Sequence, residues 1–100
     1  MKPLVLILFA LWMLVGCTTP GEPNNDPAEA CINLCKASSQ DLAPGPCLSN
    51  EIAQDWVCDV AHAPRQAVDN EARNQCPAFR DGRAHHFVEV DEMCKLIKKY

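Results

Sequence analysis

Asp26-Pro27-Ala28-Glu29-Ala30-Cys31-Ile32-Asn33-Leu34-Cys35 is the stretch on which the fold turns. Asp26 is a good N-cap, Pro27 suits the first helical position, and Glu29 stands at the third, where it can reach back as in a capping box. A helix running from here to about Ser38 puts Cys31 and Cys35 on one face with Leu34. Side chains four apart on a helix have Cβ atoms about 5 to 6 Å apart, whereas a disulfide wants roughly 3.5 to 4.5 Å. These two cysteines therefore do not bond each other, and each staples the helix to a different part of the chain. Six cysteines allow 15 pairings and excluding Cys31–Cys35 leaves twelve. The partners come from Cys47, Cys58, Cys76 and Cys94.

Working outward toward the C-terminus, Ala43-Pro44-Gly45-Pro46 fits neither a helix nor a central strand, so it is a turn that delivers Cys47. Asn50 could cap a short helix. Trp56-Val57-Cys58-Asp59-Val60 alternates, with Trp56, Cys58 and Val60 on one side, and predicts a strand that Pro64 ends. Residues 69–75 are polar and predict a short helical turn closed by Pro77; Asp81-Gly82 marks another turn; residues 84–90 predict the second strand. Asp91 then reads as the cap of a last helix, with Met93, Ile97 and Tyr100 on one face and Lys98 and Lys99 at its negative end. The expected architecture is a small disulfide-rich α+β domain over residues 27–100: two short antiparallel strands braced by two helices and three disulfides. Staples are needed at this size. Ordering about 70 residues costs on the order of 100 kcal/mol, which burial in so small a body barely offsets.

Outward in the other direction, Lys2 is a minimal positive region, residues 4–15 are uninterruptedly apolar, and Gly16-Cys17 follows. The run is shorter than the roughly 20 residues a membrane-spanning helix needs, so it reads as a processing segment. Leu14-Val15-Gly16-Cys17 resembles the lipobox of prokaryotic lipoprotein precursors. That resemblance covers about the first fifth of the chain. It implies a signal peptide over residues 1–16, a diacylglyceryl thioether on Cys17, cleavage before that cysteine, and a membrane as partner through the lipid. It also implies, from Thr18 in place of the aspartate that retains such proteins at an inner membrane, onward sorting in an envelope of two membranes. Residues 17–26 carry no hydrophobic pattern and form a flexible tether. Fully extended, its nine residues after Cys17 span at most about 30 Å, which holds the domain close to the lipid surface.

Seven cysteines in 100 residues invite a zinc reading. Structural zinc sites bring ligands in close pairs, yet the gaps after Cys35 are 11, 10, 17 and 17 residues, and an exported chain meets an oxidising compartment. Disulfides follow, with no metal site and no cofactor expected. No Cys-x-x-Cys is present for redox exchange, nor a serine nucleophile motif, a glycine-rich phosphate loop, His-Glu-x-x-His or a calcium loop. The formal net charge of −4, one unit more negative once Lys2 leaves with the leader, disfavours nucleic acid as a partner.

Asp59, His62 and Arg65 after the first strand and Arg83, His85, His86 and Glu89 around the second are the remaining chemistry. Antiparallel pairing of the two strands would bring His62 within reach of His85 or His86. Two imidazoles with Arg65 could then run general acid and base chemistry on an ester, or bind a divalent metal with Asp59 or Glu89. Against this, adjacent strand residues point to opposite faces, so His85 and His86 do not share one site on a regular strand. Arginines near acidic residues more often pair with them than clamp a substrate. Trp56 is either the centre of the core or an aromatic anchor for a partner.

The reading favoured on these grounds is a lipid-anchored extracytoplasmic lipoprotein at the cell envelope, not an enzyme, whose cysteine-rich domain is a binding or structural module, with an envelope protein as possible partner. Its alternative is a small hydrolase or metal-binding protein using His62, His85 and His86. A scaffold displaying the 43–46 loop belongs to the binding class as well.

Overall fold

The computed structural model describes residues 26–100; the signal peptide, lipobox with Cys17 and nearly all of the tether read from the sequence lie outside them. The domain is a small α+β body held by three disulfides, as its cysteine spacing and strand alternation require. Helix α1 covers Pro27–Ala37, and the Asp26 carboxylate accepts from the Ala28 amide, so the cap read from the sequence is in place. Strands β1 (Cys47–Ala53), β2 (Trp56–Val60), β3 (His86–Val90) and β4 (Leu96–Lys99) form one sheet in that order. Between β2 and β3 come two 3-10 turns, Ala67–Asn70 and Ala72–Asn74, and a one-turn helix α2, Pro77–Arg80.

Cys31 and Cys35 do go to different places. Cys31 bonds Cys58 in β2, and Cys35 bonds Cys94 in the turn before β4. The third bridge, Cys47–Cys76, ties the start of β1 to the loop entering α2. Alternation along the central strands then divides the protein into two layers. Cys58, Val60, Val88 and Val90 face α1 and join Ala28, Cys31, Cys35 and Cys94 in one core, with Trp56 packed at its edge. Val57 faces the other way, into a smaller cluster with Cys76, Ala78 and Ala84, flanked by Phe79 and Phe87. Each fully buried valine contributes about 1.5 to 3 kcal/mol; Val60, Val88 and Val90 lie in the first cluster and Val57 in the second.

Three features depart from the sequence reading. The sheet has four strands instead of two, because residues 47–53 extend and pair with β2 instead of forming a helix capped by Asn50. Asn50 still caps, but across the chain: its Oδ1 accepts from the Ala78 amide at the start of α2, whose own cap residue, Cys76, offers no side-chain acceptor.

The two expected strands pair in parallel, Trp56 opposite His86 through Val60 opposite Val90. A parallel pair needs a crossover of a dozen or more residues, and residues 61–85 supply it with short turns in place of one long helix.

The last expected helix is a turn and an edge strand. The Asp91 side chain does accept from the Met93 and Lys95 amides, but Cys94 sits at φ +64°, held to Cys35, and the chain reverses into a hairpin. Strand β4 then satisfies the outer edge of β3, pairing Val88 with Lys99 and Glu89 with Lys98. Met93 and Tyr100 are exposed in place of forming a buried face.

Candidate functional site

Parallel pairing also separates the histidines. His62 follows the end of β2, while His85 and His86 stand at the start of β3 beside the beginning of β2. Six residues of strand, at about 3.3 Å each, make a distance on the order of 20 Å. The shared imidazole site expected from antiparallel pairing does not form.

Each histidine is instead held by a carboxylate of its own end. His62 Nδ1 lies 2.9 Å from Oδ1 of Asp69, and its Nε2 is 3.4 Å from Glu92 Oε1. Asp69 is buried, and burial alone would raise its pKa. Hydrogen bonds from the Gln66 amide and from the ring and amide of His62 outweigh that and hold it below the ordinary carboxylate range. An ionised Asp69 makes His62 Nδ1 the donor and fixes the ring.

At the other end, Asp55 occupies a tight turn between β1 and β2 at φ +72°. Its Oδ1 accepts from the His85 amide at 3.0 Å and lies 2.8 Å from His85 Nδ1, while Oδ2 is 3.7 Å from His86 Nε2. The two adjacent histidines reach one carboxylate because His85 precedes the strand, where alternation does not apply. The His85 hydrogen bond is the main cause that lowers the Asp55 pKa. His86 further stacks on Trp56, ring centroids 4.6 Å apart, with Lys99 Nζ 5.6 Å from the indole. Trp56 is thus the rim of the core, half-buried, and not its centre. Among the described residues, no group of three or more His, Cys, Asp or Glu is placed to hold a metal ion.

The 43–46 loop is folded inward. Gly45 is buried at φ +78°, where a Cβ would stand 2.7 Å from Asp69 Oδ1 and 3.0 Å from the Val60 carbonyl oxygen. Of its four residues, Ala43 and Pro44 are exposed and Pro46 is half-buried.

A recess lies on the sheet face away from α1. It is a cleft of about 520 Å³, with Asp59 and Glu89 on its floor and Phe79, Phe87, Arg65, Arg80 and Lys98 around it. Strand alternation puts this floor together: Asp59 sits between core-facing Cys58 and Val60, Glu89 between core-facing Val88 and Val90, and the parallel register sets the two acids opposite each other.

Glu89 is buried and paired with Arg65, whose Nη1 donates to Oε2 at 3.0 Å; Arg65 is itself held by Asn70 Oδ1 and the Asp69 carbonyl oxygen. Asp59 has no such partner, and its Oδ1 is buried without a hydrogen bond. Burial first, and then the neighbouring Glu89 and Asp69 charges, overcome Arg65 and push the Asp59 carboxyl up to about 8. At neutral pH it is therefore chiefly the protonated acid.

Of the sequence candidates, Asp59, Arg65 and Glu89 line this cleft, while His62, Arg83, His85 and His86 do not. Phe79, Arg80 and Lys98 escape sequence reasoning. Their signal is weak: Lys98 reads as part of a helix end, and Phe79-Arg80 lies in an unpatterned connection.

Among the described residues, no helix is long and apolar enough to cross a membrane. No protein-family model, no curated protein and no solved structure matches the chain.

Proposed function

We propose that this chain is the precursor of a lipid-anchored extracytoplasmic lipoprotein, cut before Cys17 and acylated there, whose domain acts as a binding module at the cell envelope. The observation that carries the reading is cysteine arithmetic. Of seven cysteines, the six in the domain pair among themselves, which leaves Cys17 as the odd one, at the lipobox position. Three disulfides also suit an exported protein in an oxidising compartment. The binding part of the reading draws on a cleft of ligand size in so small a body, tethered near the membrane.

Lipid on Cys17 would supply the anchor. Each buried methylene is worth about 0.8 kcal/mol, so two or more acyl chains hold a protein to a bilayer where one chain binds only reversibly. The membrane is then the first partner, and an envelope protein or small ligand the second. Cys17→Ala tests this: the variant should fail to incorporate labelled palmitate and should leave the membrane fraction. A Cys17→Ala chain that remains acylated and membrane-bound would overturn the proposal.

A further inference from the structure

The cleft opposite α1 has a charge at odds with the rest of the molecule. The chain as a whole carries a formal charge of −4, yet three cations, Arg65, Arg80 and Lys98, surround the two acids of the cleft. Arg65 is spent on Glu89. Neither Arg80 nor Lys98 has an acidic partner among the described residues. Lys98 stands directly opposite Glu89 in the β3–β4 ladder, yet its Nζ lies over the rings of Phe87 and Tyr100, 5.7 and 5.8 Å from their centroids. The aromatic side is continuous as well, Phe79 packing edge-on against Phe87 and Phe87 stacking on Tyr100.

We infer that this cleft binds a small carboxylate with an apolar body, its charge met by Arg80 and Lys98 and its body resting on Phe79 and Phe87. The inference rests on reading the domain as a binding module and names the ligand class of that module. A volume of about 520 Å³ falls within the ordinary range for small-ligand sites. The planar guanidinium of Arg80 suits the two oxygens of a carboxylate. A monoanion fits better than a dianion, because the Glu89 carboxylate on the floor opposes a second negative charge. As a neutral acid, Asp59 adds a hydrogen-bond donor to the floor instead of a repelling charge.

The test uses the full chain, purified from membranes in a non-ionic detergent with its disulfides intact, and equilibrium dialysis against 2-naphthoate. Two comparison probes separate the components: 2-naphthylmethylammonium keeps the body and reverses the charge, and inorganic phosphate keeps the charge and lacks the body. Saturable naphthoate binding is expected, exceeding both comparison probes, and weakened at least about tenfold in the Arg80→Glu, Lys98→Glu double variant, as loss of charged hydrogen bonds predicts. Both substituted residues are exposed, so the variant should keep the fold. No saturable binding, equal binding by the variant, or a comparison probe bound as tightly as naphthoate would overturn the inference. Mass measurement of Cys17 acylation on the same sample distinguishes failure of the lipoprotein reading from failure of the ligand assignment.

Discussion

Replacing Asp59 with asparagine should make the protein more stable, and increasingly so as pH rises. In the folded chain the Asp59 carboxyl holds its proton up to a pH of about 8, against an ordinary value of 3.8, because burial disfavours the charge and Glu89 opposes it. Between those two values the folded state binds more protons than the unfolded state. Stability must therefore fall as pH increases through that window, by up to about 1.4 kcal/mol per unit, and flatten on either side. Over the full window the loss is on the order of 5 kcal/mol, comparable to the whole stability of a small domain.

The asparagine side chain has nearly the same shape as the aspartic acid and never ionises, so the variant lacks this contribution while every other titrating group is shared. Groups facing the site include Glu89 from β3, Lys98 from β4, Arg65 from the crossover and Asp69 from the first 3-10 turn, and all are present in both proteins. Urea unfolding of the two proteins without reductant, at pH 3, 5, 7 and 9, isolates the difference. It should be near zero at pH 3 and reach several kcal/mol in favour of Asp59→Asn at pH 9. Parallel stability profiles, or a wild-type protein that gains on the variant as pH rises, would refute the argument that Asp59 is a neutral acid in the folded protein.

Gly45→Ala should destabilise by roughly 2 to 4 kcal/mol, since it combines a positive φ with a Cβ pressed against Asp69 Oδ1 and a backbone carbonyl; thermal denaturation reads the loss. Asp69→Ala leaves the His62 and Gln66 amides without their acceptor and should cost about 2 to 4 kcal/mol at neutral pH. Because the Asp69 pKa is lowered on folding, its contribution is present above the ordinary carboxylate pKa and is lost as pH falls through its folded value, so wild type and Asp69→Ala should converge in acid. Among the disulfides, Cys35–Cys94 closes the longest loop, 59 residues, and its paired alanine variant should lose about 4 kcal/mol, against about 3.5 for Cys31–Cys58 with 27; guanidinium midpoints rank them.

Local signals in the sequence carried well wherever one element was enough. The Asp26-Pro27 start and the i, i+4 cysteines determined α1 and the rule that Cys31 and Cys35 part company. Alternation around Cys58 and Val88 located both central strands. What eluded the reading was relation between elements. Residues 61–85 contain no long helical pattern, so nothing in them marks a crossover, and the antiparallel alternative brought together the wrong side chains, His62 with His85 or His86. Asp59 and Glu89 were visible as polar residues beside core positions, but they oppose each other only in the parallel register. At the C-terminus, Met93, Ile97 and Tyr100 fit a helical spacing over a run too short to decide between helix and strand. The hairpin is favoured by contacts no local pattern contains: the open edge of β3 and the Cys35–Cys94 bridge.

The central claim is that six cysteines staple the domain and the seventh carries lipid. Intact mass of the protein taken from its native membrane, before and after reduction and alkylation, tests both halves together. The expected result is a chain beginning at Cys17 with the added mass of acyl chains, and six cysteines that alkylate only after reduction. A chain without acyl mass, one beginning at another residue, or domain thiols that alkylate without reductant would contradict it.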